Sequence, residues 1–277
     1  MTTTLTIGDD LTVHRMGFGA GRLVGPNFYA EPKDAKAARA VLRRALELGV
    51  DVIDTADSYG PEINERQIAE ALHPYPPNVV IATKGGYTRP RGSWVEDGRP
   101  EYLRAACEAS LRRLKLERID LYQLHAPDPD VPLEESVGAL EELRREGKIR
   151  YIGLSNVNTA ELRDMRKIAP IASVQNDYNV GRRDSDDVVD ACEQAQIAFL
   201  AYFPVDAGGL ARARGPLAHV AKRHAATPAQ IALAWLLHRS PAIIPIPGTS
   251  SLDHLEQNIA AAKIGLSLAE MGELDEL

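Results

Sequence analysis

Asp51-Val-Ile-Asp54-Thr-Ala-Asp-Ser-Tyr59-Gly60 sets both the fold and the chemistry of this chain. Val50, Val52 and Ile53 are β-branched and stand between Gly49, placed as a helix stop, and the polar run that begins at Asp54. That is the composition of a short core strand opening into a loop. Such a strand delivers a carboxylate at its end and a phenol five residues later. A buried carboxylate with no counter-charge costs several kcal/mol or is neutralised, so the pattern calls for a cation nearby.

Upstream of this stretch, Leu5-Thr-Ile7, Gly8-Asp-Asp10 and Leu11-Thr-Val13 alternate as strand, turn and strand, a β-hairpin within residues 1–15 that stands outside the main repeat. Met16-Gly-Phe-Gly19 reads as the first strand, and a helix is expected from about Lys33 to Leu48, with Ala38, Val41, Leu42, Ala45 and Leu48 on its apolar stripe. Gly49 then stands at the C-cap. Downstream the unit recurs: strands at Val79–Ala82, Ile119–Leu124, Ile149–Leu154, Ile171–Val174, Ile197–Tyr202 and Ala242–Ile246 alternate with helical patterns, including an N-cap at Thr227-Pro228. Eight strand–helix units at roughly thirty-residue spacing predict an α/β fold, a (β/α)8 TIM barrel, as one domain over residues 1–277. The rival, an open doubly wound sheet, lacks its fingerprint. In Gly17-Phe-Gly19-Ala-Gly21 the third glycine is misplaced and prolines rather than a helix follow, so these glycines read as a tight turn at a barrel mouth.

Composition bounds the function. A net charge of −7 and 44% hydrophobic residues describe an ordinary globular protein without a basic footprint for nucleic acid. Cys107 and Cys192 are the only cysteines and have no CxxC spacing, so neither a disulfide framework nor a zinc site is expected. The N-terminal residues lack a secretion signal and no apolar run reaches the ~18 residues of a membrane span, which gives a cytoplasmic expectation with no membrane partner.

Barrel enzymes carry their working residues at the C-terminal ends of strands, and that is where the cation stands. Lys84 ends the third strand before Gly85-Gly86, and His125 ends the fourth in Leu121-Tyr-Gln-Leu-His125-Ala-Pro-Asp128. Asp54, Tyr59, Lys84 and His125 therefore share one rim on adjacent strands. A metal cluster of His125, Asp128 and Asp130 is the weaker reading of this run, because Pro127 and Pro129 stiffen it and no histidine pair marks the first strand.

These motifs, with Gly153-Leu-Ser155-Asn156-Val157 and Ile246-Pro-Gly-Thr249, resemble the aldo-keto reductase superfamily in order, from Met16 to about Ala262. Within it the chain looks most like a short-tailed bacterial subgroup that includes pyridoxal reductase. The resemblance implies an Asp54, Tyr59, Lys84, His125 catalytic tetrad and an opening hairpin that closes the barrel bottom. It implies NADPH-dependent reduction of an aldehyde or ketone, with pyridoxal or another aromatic aldehyde as substrate. Hydride addition puts negative charge on the carbonyl oxygen, so a proton donor is needed there. Tyr59 is the expected acid, with Lys84 lowering its pKa, Asp54 holding Lys84, and His125 orienting the carbonyl.

Carried over position by position, Ser155, Asn156 and Gln175 match the residues that bind the nicotinamide amide, Tyr202 the aromatic that stacks on it, and Phe203, Pro204, Val205 and Gly208 the pyrophosphate loop. Gly248, Thr249, Ser250, His254, Gln257 and Asn258 match the adenosine-phosphate segment, where Thr249 and Ser250 are also expected to cap the last barrel helix. Gly19, Ala20, Arg22 and Asp54 complete the expected cofactor contacts. NADPH-selective relatives carry lysine and arginine where this chain has Gly248 and His254, which leaves NADH as an acceptable alternative. Tyr29, Tyr87, Trp94 and Tyr178 are expected to line the substrate pocket, with Arg89 and Arg91 at the mouth favouring an aromatic or anionic substrate. The chain stops soon after a helix at Ser267–Glu273, without the long C-terminal lid of some relatives, which implies an open pocket. A monomer or weak homo-oligomer acting on a small carbonyl compound is expected. The alternative is a regulatory protein of the same fold that binds the cofactor with little turnover.

Overall fold

The computed structural model describes residues 3–277; Met1 and Thr2 of the expected hairpin segment lie outside them. The hairpin is β1 (Thr4–Ile7) and β2 (Leu11–His14), antiparallel with Leu5 opposite Val13. Eight parallel barrel strands follow: β3 (Phe18–Gly19), β4 (Val52–Asp54), β5 (Val80–Gly85), β8 (Ile119–Leu124), β9 (Ile149–Ser155), β10 (Ile171–Asp177), β11 (Ala198–Tyr202) and β12 (Ile243–Pro245). The two numbers between, β6 (Tyr87–Thr88) and β7 (Val95–Glu96), form a small antiparallel ribbon where the sequence reads only as loop. Each barrel strand pairs with its chain-order neighbour, and the first meets the last through Gly17 N–H to the Pro245 carbonyl at 3.0 Å and Gly19 N–H to that of Pro247 at 3.3 Å.

Ten helices, α1 (Ala35–Glu47), α2 (Ile63–Leu72), α3 (Pro100–Leu114), α4 (Leu133–Arg145), α5 (Thr159–Met165), α6 (Asp186–Ala195), α7 (Pro216–Arg223), α8 (Pro228–Arg239), α9 (Leu252–Ala260) and α10 (Leu268–Asp275), complete the described chain. Local chemistry sets their ends. Asp34 accepts from Ala37 N–H to start α1, whose Ala38, Val41, Leu42 and Ala45 are buried, and Gly49 follows at φ +88°, a conformation that glycine adopts without penalty. Thr227 with Gln230, and Ser267 with Glu270, form reciprocal capping boxes on α8 and α10. The cap of α9 is Ser251, which accepts from His254 N–H, and not Thr249 or Ser250; Thr249 instead accepts from the Ser251 N–H at 3.0 Å. The expected cap lay one turn residue too early.

Inside the barrel, Ile7 and Val13 of the hairpin are buried in one cluster with Val52, Val80, Leu121, Ala198 and Ile244. The hairpin therefore plugs the end at which the strands begin. Above this apolar floor the interior turns polar, with buried Asp54, Lys84, Gln123 and Gln175 on four different strands. Polar groups at that depth require partners. Those partners build the site.

Candidate active site

Lys84 is fully buried and donates from Nζ to Asp54 Oδ1 at 2.6 Å and to the Thr55 carbonyl at 2.9 Å. The second oxygen of Asp54 accepts from Gln175 Nε2 at 2.8 Å and Gln123 Nε2 at 3.3 Å. All of the carboxylate's strong acceptor positions thus face inward donors, which is how a charged pair is tolerated in a barrel core. Gln123 has no place among the residues expected from sequence. Its signal is a polar residue in the apolar run of β8.

The Asp54–Tyr59 loop is held from behind by α2. Thr55 Oγ1 donates to Asn64 Oδ1 at 2.7 Å, and Asn64 Nδ2 donates to the Ala20 carbonyl at 3.0 Å, tying the ends of β3 and β4 together. Glu65, buried on the same helix, accepts from Thr83 Oγ1 and from Arg113 Nε, each at 2.6 Å. Gly21 lets the first loop approach: a Cβ there would lie 2.9 Å from the Phe28 ring and 3.1 Å from the Tyr59 ring.

Tyr59 reaches a cavity of about 930 Å³ that it lines together with Asp54, His125, Ser155, Asn156 and Gln175. The Lys84 ammonium stands 5.4 Å from the centre of its ring. Among the described residues no group hydrogen-bonds the phenol. Burial, and then the negative charges of Asp54 and Asp57, push the Tyr59 pKa above its ordinary value, with only Arg89 pulling it down. This corrects the expectation that Lys84 lowers it. The ammonium is matched by Asp54 at hydrogen-bond distance, so its field at the phenol is largely cancelled.

His125 is 7% exposed, with Nδ1 3.3 Å from Ser58 Oγ and its ring edge-on to Tyr59 and Tyr87. Burial, then the Lys84 and Arg89 charges, hold its pKa well below 6.5. The imidazole is therefore neutral near pH 7 and carries one N–H to donate. The unfolded chain takes up this proton near pH 6.5 and the folded one does not, so His125 lowers stability by roughly 1 kcal/mol per pH unit as the pH falls below that value. His125→Gln is expected to flatten this acid limb when urea midpoints at pH 5 and pH 7 are compared. Equal pH dependence in the two proteins would contradict a neutral His125.

Asn156 adopts φ +60° and is locked by its neighbours: Nδ2 donates to the His125 carbonyl at 2.9 Å, and Oδ1 accepts from Tyr202 OH at 2.7 Å. The amide nitrogen of Gln175 is already engaged by Asp54 and by Gln123 Oε1 at 3.2 Å, which leaves its oxygen as the group for a ligand N–H. Farther along, the cavity is lined by Phe203, Pro204, Val205, Gly208, Gly19, Arg22, Gly248, Thr249, His254, Gln257 and Asn258. Thr227, Ala211 and Arg212, not anticipated from sequence, line the same cavity. Position 248 has no room for a side chain, since a Cβ would lie 2.6 Å from the Gly19 carbonyl oxygen and 3.1 Å from Arg22 Cγ. Arg22 fills that place from the turn that follows β3.

Several expected residues are not at the cavity. Ser250 is exposed and Ala20 is buried, and neither lines it. Tyr178 is fully buried between Phe199 and Trp235, with its hydroxyl on Asp186, so it belongs to the outer core. Tyr29 stands behind the wall, 5.5 Å from the Arg89 guanidinium. Tyr87 and Trp94 do line the cavity, joined by Phe28, whose role the sequence did not announce. Asp128 accepts from Gly98 N–H at 2.8 Å and Asp130 N–H at 2.9 Å, which makes it a loop fastener.

Residues 15–277 match the model of the aldo/keto reductase family. The chain is 44% identical over 274 residues to an uncharacterized oxidoreductase of Schizosaccharomyces pombe, covering 99% of this chain and 89% of that protein. It is 42% identical over 281 residues to pyridoxine 4-dehydrogenase of Escherichia coli, covering 98% and 97% of the two chains. Among solved structures it superimposes on an aldo/keto reductase from Klebsiella pneumoniae in complex with NADP and acetate, with TM-score 0.86, 30% identity and coverage of 100% and 95%.

Proposed function

Because the chain belongs to the aldo/keto reductase family, we propose that it reduces aromatic aldehydes, pyridoxal among them, to alcohols at the expense of NADPH. One observation carries the reading: Tyr59 and His125 face one cavity beside Phe28, Tyr87 and Trp94, above a buried Asp54–Lys84 pair. The aromatic rings stand 4.8–6.3 Å apart in mostly edge-on contacts, a slot suited to a flat ring rather than a branched aliphatic chain.

The residues present fit a nicotinamide dinucleotide. Ser155, Asn156, Gln175 and Tyr202 would hold the nicotinamide end, and Thr249 and Asn258 the phosphate end together with Arg22, whose guanidinium lies 5.0 Å from the Phe28 ring and 5.8 Å from the Phe203 ring, and Arg212; neither arginine has a carboxylate partner among the described residues. Those two cations supply the positive charge that Gly248 and His254 do not. When bound, the cofactor supplies the hydride. The chain's own groups do the rest: the neutral His125 donates a hydrogen bond that orients the carbonyl oxygen, and Tyr59 donates the proton as charge builds there. The relationship to pyridoxine 4-dehydrogenase supports the ring-bearing substrate.

The test is NADPH oxidation with pyridoxal and 4-nitrobenzaldehyde set against methylglyoxal. We expect kcat/KM for the two aromatic aldehydes to be higher by about tenfold or more. A preference for methylglyoxal would overturn the aromatic assignment, and NADH binding more tightly than NADPH would overturn the cofactor assignment.

A further inference from the structure

Arg89 is 7% exposed, yet among the described residues no carboxylate faces it. A guanidinium so placed is costly unless its donors are satisfied. Here four backbone carbonyls accept from its two terminal nitrogens, Phe28 at 3.0 Å and Ser58 at 3.2 Å from Nη1, Asn27 at 3.0 Å and Gly92 at 2.9 Å from Nη2, while the buried Nε–H has no partner among the described residues. Those carbonyls belong to three separate loops, after β3, after β4, and between β6 and β7. Asn27 and Phe28 hold left-handed φ of 57° and 56°, a conformation that asparagine adopts readily and phenylalanine does not. The guanidinium carbon Cζ lies 3.7 Å from the centre of the Trp94 ring.

Each tied loop brings one ring to the cavity. Phe28 and Tyr59 are 5.4 Å apart, Phe28 and Trp94 6.3 Å, Tyr59 and Trp94 6.3 Å. Around Tyr59 the charged and titratable groups are Asp54 and Asp57 on its own loop, Lys84 at the end of β5, Arg89, His125 after β8 and Tyr202 at the end of β11. Lys84 is matched by Asp54. Among the described residues no carboxylate matches Arg89, whose partners are backbone carbonyls.

We propose that Arg89 is a positioning residue that fastens Phe28, Tyr59 and Trp94 into one substrate wall and keeps a positive charge without a carboxylate partner on the loop that carries Tyr59, 3.2 Å from the Ser58 carbonyl, as the phenol loses its proton. This rests on the reductase reading above. The wall governs how the aldehyde binds, and the charge governs how well the developing phenolate is tolerated.

The two parts separate in two variants. Arg89→Met is expected to raise the KM for 4-nitrobenzaldehyde about tenfold and to lower kcat about tenfold. Arg89→Lys keeps the charge but not the planar fork, so kcat should return to within about threefold of the parent while KM stays raised about fivefold or more. The dissociation constant for NADPH should change less than the KM in both, because Thr249 and Asn258 lie on another loop and only Arg22, 5.0 Å from the Phe28 ring, shares a loop that Arg89 ties. A readout independent of turnover is acrylamide quenching of tryptophan fluorescence. Trp235 is buried and Trp94 is 40% exposed, so quenching reports Trp94, and both variants should raise the quenching constant by about twofold. Arg89→Met with kcat and KM within twofold of the parent, Arg89→Lys restoring both constants, or quenching unchanged in Arg89→Lys would each overturn the proposal. If Arg89→Met fails to fold, Arg89→Lys decides alone. A parent protein with no carbonyl turnover would sink the reductase reading, and the quenching arm would still judge Arg89.

Discussion

Tyr59→Phe is expected to lower kcat for aldehyde reduction by about 10²- to 10⁴-fold, the range of a positioned general acid. The substitution keeps the ring that packs on Phe28 at 5.4 Å and on Trp94 at 6.3 Å, so the fold and the wall should survive it. Only the hydroxyl is lost, and no group of the described protein hydrogen-bonds it. The NADPH dissociation constant should therefore stay within about twofold, and the loss should appear in kcat rather than in cofactor binding. Because burial and Asp54 raise the Tyr59 pKa, the acid remains protonated through the neutral range and into mild alkali. Reduction by the parent protein should therefore show no alkaline fall from loss of the Tyr59 proton up to about pH 10, the ordinary phenol pKa. A variant that reduces 4-nitrobenzaldehyde within tenfold of the parent would remove Tyr59 from the role of donor.

The second large effect is structural. Lys84→Met strips the counter-charge from Asp54, whose side chain is 3% exposed and whose oxygens otherwise meet only Gln123 and Gln175. Breaking one half of a buried ion pair costs about 3–5 kcal/mol. For a chain of this length that corresponds to a fall in Tm of roughly 10 °C. Lys84→Met combined with Asp54→Asn removes the charge along with its partner and should recover a substantial part of the loss in thermal melts. Equal melting temperatures for the single variant and the parent would mean that the pair contributes nothing to holding the barrel interior. The pair is a structural base for the loop that carries Tyr59, and its activity effect should follow from that.

Much of this arrangement is readable along the chain because short-range pattern and position coincide. Asp54, Lys84 and His125 each end or directly follow a β-branched or leucine-rich strand, and a barrel puts every such end on one rim. The structure brings them together with Tyr59 as that logic implies. What could not be read depends on groups distant in sequence. Gln123 looks like an isolated polar residue until Asp54, sixty-nine residues earlier, is placed 3.3 Å from it. Tyr178 follows a strand end and so resembles a pocket residue, but the chain turns there and delivers the ring to Phe199 and Trp235. The lowering of the Tyr59 pKa by Lys84 failed for a related reason. The sequence places a cation near a phenol; only the 2.6 Å contact to Asp54 reveals that the cation's charge is already answered.

The junction of β3 and β12 carries a consequence of its own. Every other adjoining pair of staves is joined by a strand ladder, broken by a register shift only between β9 and β10, whereas this one is stitched by two backbone bonds, from Gly17 to Pro245 and from Gly19 to Pro247. Proline offers no N–H, so the stitching runs in one direction only. Gly19 and Gly248, on either lip of that seam, both line the long cavity. A ligand lying there would lace the seam from above, so loading the protein and locking its cylinder shut become one event.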